Sequence, residues 1–146
     1  MVSCLLARHG FVYLEAPFIV QLLPAMLVAA HGAVFNGVPP YDLWEHPNVL
    51  GKIPPHRSDA GSYLVAEVFG ARSMIFIKDV DGLYTADPKT NSGAEFVPKI
   101  SVADLLASRL PTLPFDPIVL DLMTRARLAK RIQIFMDLYL GILLAF

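Results

Sequence analysis

Short apolar runs that suit β-strands alternate along this chain with longer segments that suit α-helices. The run SMIFI at 73–77 is the clearest, because uncharged, β-branched and aromatic residues in succession indicate a strand buried on both faces. Strands are predicted at 11–15, 32–36, 73–77 and 132–135, and helices at 18–30, 58–69, 101–108 and from 116 onward. Such alternation implies right-handed crossovers. The sequence therefore predicts an α/β fold of three layers, with helices on both faces of a mainly parallel sheet.

Capping residues predict where the helices begin. Ser58 or Asp59 is expected to cap the second helix, and Ser101 with Asp104 resembles a capping box. The apolar stripe of the second helix is expected to be Ala60, Leu64, Val65, Val68 and Phe69. The last helix is expected to present Ile118, Leu122, Met123, Ala126 and Ala129 on one face and to end in the basic residues Arg125, Arg127, Lys130 and Arg131.

Composition restricts the classes of function. The 146 residues suffice for one domain with a core and are too few for two. A formal net charge of -1 argues against a nucleic-acid or anionic-membrane partner. The apolar stretches 16–30 and 132–146 are interrupted by proline, glutamine or charged residues, so neither predicts a membrane span. The one cysteine, Cys4, excludes an intrachain disulfide and suggests a reducing, cytoplasmic compartment.

The strongest candidate site follows the strand at 73–77, in the segment IFIKDVDGLYTADPK. A polar loop is predicted at 78–93, with a turn at Asp87-Pro88. In parallel sheets ligands bind beyond the carboxyl ends of the strands, which is where Lys78 and Asp79 are expected. Lys78 would meet a phosphate as a point charge, Gly82 would let the backbone turn or approach a ligand, and Tyr84 would wall an adenine ring. The alternative is a polar turn with unpaired surface acids.

The string K-x-V-D-G-x-Y-x-x-D-P within that segment closely resembles the nucleotide-binding segment of uridylate kinases and other amino acid kinases. In that family the segment wraps the adenosine of ATP. The resemblance implies ATP with Mg²⁺ as cofactors and assigns nucleotide binding to Lys78, Asp79, Val80, Asp81, Gly82, Tyr84, Asp87 and Pro88.

Two further segments resemble the same family. In RSDAGSYLVAEVFGA, Ser58 and Asp59 match a Thr-Asp pair that lies beside the transferred phosphoryl group, which implies a catalytic role for Asp59. A helix N-terminus favours phosphate, although Asp59 would equally serve as a simple cap. In VLDLMTRARLAK, Asp121 matches an aspartate of the family's M-D-x-x-A helix, with pairing to Arg125 as the alternative. The resemblance assigns cofactor binding to Ser58 and Asp121 as well, and Asp79, Asp81 or Asp121 would support the magnesium.

A proline-rich loop, GVPPYDLWEHPNVLGKIPPHR, indicates the subfamily. Together with SDAG it is similar to the molybdenum storage proteins, relatives of uridylate kinases. That resemblance implies a homo- or hetero-oligomeric, hexameric cage that holds molybdate or tungstate oxoanion clusters. His46 and His56 would then serve the clusters as hydrogen-bond donors or nitrogen ligands, with a plain surface role as the alternative.

Two parts of the family pattern have no counterpart. The lysine- and glycine-rich strand that grips the phosphates is not matched, and MDLYLGILLAF replaces the family's N-G-x-x-P-G-x-L. Residues 1–146 are therefore expected to form a single partial domain, the C-terminal nucleotide-binding half, without the N-terminal half and the final strand. The expected function is ATP binding in a molybdenum-storage-like protein, with no kinase activity of this chain alone. A uridylate kinase, a related phosphotransferase or a non-functional fragment are the alternatives, and enzymatic activity stays open.

Overall fold

The computed structural model describes residues 2–37 and 58–136. These residues belong to two compact units, Met1–Val65 and Ala66–Phe146. The proline-rich loop, with His46 and His56, and the residues after Met136 lie outside the described residues. The helices are α1 (Val2–Ala7), α2 (Ile19–Ala29), α3 (Ser58–Val68), α4 (Val102–Ser108) and α5 (Ile118–Thr124). The strands are β1 (Phe11–Leu14), β2 (Gly32–Phe35), β3 (Met74–Lys78), β4 (Leu83–Tyr84), β5 (Phe96–Val97) and β6 (Ile132–Met136).

The first unit contains a parallel pair of strands joined by a helix. β1 and β2 pair in register from Phe11 opposite Gly32 to Leu14 opposite Phe35. Gly32 leaves space for the Phe11 ring, whose Cε1 atom would lie 2.5 Å from a Cβ at this position. α2 connects the strands and buries Ile19 and Leu23. The predicted elements at 11–15, 18–30 and 32–36 are confirmed to within two residues, whereas α1 was not foreseen.

α3 begins at Ser58, so Ser58 and Asp59 lie in its first turn and neither precedes it as a cap. Its predicted apolar stripe is partly wrong. The helix buries Ala60, Gly61, Tyr63 and Val65, whereas Val68 is 61% exposed. Tyr63 was not part of the predicted stripe, yet its side chain is among the most buried of the described residues.

The second unit contains a parallel and an antiparallel pair. β3 pairs with β6 from Met74 opposite Ile132 to Lys78 opposite Met136. β4 and β5 form a short antiparallel pair, and β4 lies inside the stretch 78–93 that was expected to be a loop. β3 was expected to be buried on both faces, but Ile75 and Ile77 are each 44% exposed. Because side chains alternate along a strand, the described residues pack only the face that carries Met74 and Phe76.

The helices of this unit differ in how well the sequence predicted them. α4 has the predicted cap, since the Ser101 hydroxyl accepts a 3.1 Å hydrogen bond from the backbone N–H of Asp104. α5 is shorter than expected and ends at Thr124, so the basic residues lie beyond it. Its predicted face is partly wrong, because the helix itself buries Val119 and Leu120. Ala129, a member of the predicted face that lies beyond the helix, is buried.

The α/β class and the parallel pairing of the main strands are confirmed. Among the described residues, no helix combines the length and apolar character that a membrane crossing requires. Lys78 is the last residue of β3, so the candidate segment begins at the carboxyl end of a parallel strand, as predicted.

Candidate functional site

Lys89 makes two contacts with earlier residues of the segment that follows β3. The ammonium of Lys89 forms an ion pair with the Asp79 carboxylate. The backbone N–H of Lys89 donates a 2.9 Å hydrogen bond to Oδ1 of Asp87. The hydrogen bond from Lys89 lowers the pKa of Asp79 below its usual 3.8. Asp79 is therefore held as an anion over a wide pH range.

Asp87 and Pro88 form the turn that the sequence predicted. The carbonyl oxygen of Asp87 accepts hydrogen bonds of 2.9 Å from Asn91 N–H and 3.2 Å from Thr90 N–H. The Asp87 carboxylate is engaged at the same time with the Lys89 backbone. These bonds fix the backbone from which the Lys89 side chain extends.

Aromatic packing holds the other side of the segment. The rings of Tyr84 and Phe96 meet edge to face, with centroids 5.4 Å apart and planes inclined at 65°. Gly82 lies so close to Phe96 that a Cβ there would collide with the ring. Among the described glycines only Gly10 and Gly70 have positive φ, so close approach explains Gly82 better than an unusual turn.

The Tyr84 hydroxyl donates a 2.8 Å hydrogen bond to Oδ1 of Asp81. This bond to a carboxylate raises the pKa of Tyr84 above its usual 10.0, because the charge of Asp81 disfavours a phenolate. The bond also fixes the direction of the tyrosine ring. A fixed ring beside a cavity is suited to stacking on a planar ligand.

A cavity of about 250 Å³, here called the turn cavity, opens beside these residues. Six residues of the predicted nucleotide segment line it: Asp79, Val80, Gly82, Tyr84, Asp87 and Pro88. The remaining lining residues, which the sequence did not reveal, are Ala86, Lys89, Thr112, Leu113 and Pro114. Lys89 could have been predicted as a lining residue, because it directly follows the Asp87-Pro88 pair in the sequence. Residues 112–114 could not have been predicted from the sequence, because only the tertiary fold brings them to the turn.

The other predicted residues lie elsewhere. Asp81 lines a second cavity of about 760 Å³, which is bounded chiefly by residues 96–102 and 130–135. Lys78 lines neither cavity, and its Nζ lies 5.3 Å from the centroid of the Phe76 ring. Asp121 is exposed in the first turn of α5 and also lines neither.

Ser58 and Asp59 belong to the first unit, at the start of α3. A Cβ at Gly37, two residues after β2, would lie 2.9 Å from the Ser58 carbonyl oxygen. The N-terminus of α3 is therefore next to the carboxyl end of a parallel strand, a position where anions commonly bind. His46 and His56, the predicted metal ligands, are outside the described residues.

The described residues could bind magnesium only together with the phosphates of a ligand. They contain no group of three or more His, Cys, Asp and Glu side chains arranged to hold a metal ion. Mg²⁺ usually keeps several waters and binds through one or two carboxylates plus substrate phosphates. Asp79 and Asp87 line one cavity and provide two such carboxylates.

Comparisons with known proteins agree with the resemblance seen in the sequence. The sequence profile of the amino acid kinase family matches residues 20–135. The molybdenum storage protein subunit beta of Azotobacter vinelandii is 43% identical over 134 residues, which cover 92% of this chain and 49% of that subunit. A uridylate kinase of Pyrococcus abyssi is 43% identical over 60 residues, covering 41% of this chain and 27% of the relative. The chain thus spans about half the length of the first relative and less of the second.

Solved structures show the same fold. The uridylate kinase of Archaeoglobus fulgidus has a TM-score of 0.57 at 22% identity, covering 79% of this chain and 47% of that chain. The UMP kinase of Ureaplasma parvum has a TM-score of 0.58 at 17% identity, covering 88% and 52%. The predicted fold and the predicted resemblance to molybdenum storage proteins and uridylate kinases are confirmed. This chain belongs to the amino acid kinase family.

Proposed function

We propose that this chain is the nucleotide-binding part of a molybdenum-storage-like protein and that its turn cavity takes ATP with magnesium. The observation that carries the proposal is the convergence of six residues of the family-like segment on one cavity at the carboxyl end of β3. The likeness of sequence to a molybdenum storage protein subunit supports the choice of subfamily.

The chemistry of the turn cavity suits a nucleoside. Carboxylates accept hydrogen bonds from hydroxyl and amino groups, and Asp79 and Asp87 supply such acceptors. Tyr84 supplies an aromatic ring beside them. The volume of about 250 Å³ lies just below the usual range for small-molecule pockets, about 300–1,000 Å³. We therefore place the nucleoside inside the cavity and its phosphates at the mouth.

Bound magnesium would neutralise phosphate charge that two aspartates would otherwise repel. Asp79 and Asp87 are the residues of the turn cavity that would hold it. The start of α3, with Ser58 and Asp59, is the described segment of the first unit best suited to an anion. Storage of molybdate or tungstate clusters and assembly into an oligomeric, hexameric cage belong to this proposal as properties of the assembled protein.

A second candidate is phosphoryl transfer from ATP to a small acceptor. The matches to uridylate kinases in sequence and fold favour it. The two candidates differ in what they require: storage needs molybdate to bind, whereas transfer needs ADP to form only when an acceptor is added.

Thermal melts of the purified chain, alone, with MgATP, and with MgATP plus molybdate, test the proposal. A ligand that binds only the folded state stabilises it by about 2.7 kcal/mol at 100 times its Kd. We expect MgATP to raise the Tm and molybdate to raise it further. Asp87→Asn should reduce the first shift, and Glu95→Gln, an exposed acid outside both cavities, should not.

The outcomes separate the candidates. A Tm unchanged by MgATP at millimolar concentration, confirmed by calorimetric titration, would refute the nucleotide proposal. Binding of MgATP with acceptor-dependent release of ADP, and no effect of molybdate, would replace storage by phosphoryl transfer.

A further inference from the structure

We propose that Lys89 exchanges partners when a phosphorylated ligand enters the turn cavity: its ammonium leaves the Asp79 carboxylate and binds a phosphate oxygen. This inference rests on the proposed function and deepens it, because it names the residue that recognises the phosphate. Lys89 was not among the residues that the sequence singled out.

The charge of the cavity makes such a residue necessary. Three ionisable side chains of its lining carry charge at neutral pH, those of Asp79, Asp87 and Lys89. Two carboxylates repel a phosphate, and Lys89 is the single cation among the lining residues that the structure describes. Within the lining, attraction for a phosphate therefore comes from Lys89, unless the ligand brings a metal ion.

The geometry allows the exchange without a change of backbone. The backbone N–H of Lys89 donates a hydrogen bond to the Asp87 carboxylate, and the residue before Lys89, Pro88, has a fixed φ. The lysine side chain thus swings from a fixed base. Its side chain is 54% exposed and that of Asp79 is 78% exposed. The ion pair is therefore open to solvent, as the phosphates would be when the nucleoside occupies the cavity.

The energetics favour the phosphate as partner. An exposed ion pair contributes little to stability, since water and salt screen it. A phosphate group carries more negative charge than a carboxylate and offers the ammonium several acceptor oxygens. The exchange also releases the Asp79 carboxylate from Lys89, so that it becomes available to the magnesium that accompanies the phosphates.

Competition between Asp79 and phosphate for Lys89 predicts the direction in which a substitution changes the affinity for phosphate. In the unliganded protein Asp79 competes with a phosphate for Lys89, so removing the Asp79 charge should strengthen phosphate binding when no magnesium is present. A residue that merely stabilised the turn would behave differently, because its loss would weaken the binding of phosphorylated and unphosphorylated ligands alike.

Calorimetric titrations of the purified chain in magnesium-free buffer, with adenosine, ADP and inorganic tripolyphosphate, test the inference. Lys89→Gln should lower the affinity for ADP and tripolyphosphate about tenfold, as loss of one charge-assisted hydrogen bond would, and leave adenosine unaffected. Lys89→Arg should retain most of the affinity. Asp79→Asn should raise the affinity for tripolyphosphate.

Lys99→Gln is the matched control, because Lys99 is exposed and lines only the larger cavity. The Tm of each variant without ligand verifies that it folds. ADP binding that is equal in Lys89→Gln and the unsubstituted chain would overturn the inference while the nucleotide proposal stands, and so would equal weakening of ADP and adenosine. Lys89-dependent binding of tripolyphosphate without any binding of adenosine would support the inference and refute the nucleotide proposal. Binding of none of the three ligands would overturn the inference, and the melts with MgATP would then decide the nucleotide proposal separately.

Discussion

The carboxylate of Glu67 accepts a 2.7 Å hydrogen bond from the backbone N–H of Ala129, 62 residues further along the chain. The same carboxylate accepts bonds of 2.8 Å from Arg127 N–H and 3.1 Å from Leu128 N–H. Three consecutive backbone N–H groups thus donate to one side chain at the end of α3. If α5 continued, they would donate instead to carbonyl groups of that helix. This contact explains why the segment before β6 is not helical, although its composition suits a helix.

Glu67→Gln should lower the Tm at neutral pH, because an amide offers one acceptor oxygen and turns N–H donors towards the backbone donors. Bonds from Ala129 and Arg127 lower the pKa of Glu67 below its usual 4.5. A lowered pKa contributes stability that is present above 4.5 and is lost as the pH falls through the folded-state value. The difference in Tm between the two proteins should therefore shrink below pH 4.5. Thermal melts of both proteins from pH 7 down to about pH 3 measure this difference in Tm, since the pH range must extend below the usual carboxyl pKa. A difference independent of pH would contradict the assignment, and Glu95→Gln is the control.

Phe76→Ala should lower the free energy of unfolding by about 3–5 kcal/mol, the range for buried phenylalanines. Phe76 is 5% exposed, and its ring stacks on Phe115 at 5.8 Å between centroids. Ile77→Ala, at the next residue of the same strand, should lower the free energy of unfolding much less, because Ile77 is 44% exposed. Denaturant titrations compare the two. Equal losses would show that the Ile77 face of β3 is packed in solution.

Gly82→Ala should destabilise the second unit by about 1–3 kcal/mol, as overpacking does. The added methyl group would collide with the Phe96 ring and separate the paired strands β4 and β5. Gly93→Ala is a suitable control, since its Cβ would meet only the side chain of Asn91, at 3.3 Å. Chemical denaturation measures both variants. An unchanged midpoint for Gly82→Ala would mean that Phe96 moves aside at little cost.

Tyr84 should titrate at higher pH than an ordinary tyrosine, because its hydroxyl donates to Asp81. Absorbance of phenolate against pH reports the chain's 5 tyrosines together, and Tyr84→Phe identifies the contribution of Tyr84 by difference. Asp81→Asn should move that contribution to lower pH, since the charge that opposes the phenolate is gone. Titration of Tyr84 at the ordinary value in the unsubstituted chain would refute the hydrogen bond.

Much of the local structure was predictable because it depends on neighbouring residues. Consecutive β-branched and aromatic residues indicated β3 and β6, and Ser101 with Asp104 indicated the start of α4. The turn at Asp87 and Pro88 followed from the conformational preferences of those two residues. The position of Lys78 at a carboxyl strand end followed from the parallel pairing that alternating elements impose.

The sequence by itself determined the family, the α/β class and six residues of the turn cavity, because these depend on local patterns and a contiguous segment. The tertiary structure decided the rest. It ended α5 through Glu67, left one face of β3 exposed, paired Lys89 with Asp79, and brought Thr112–Pro114 to the turn. Each of these depends on contacts between residues distant in sequence or on which neighbours cover a side chain. Periodicity and propensity report how a segment prefers to fold, and they carry no information about which other segment will meet it.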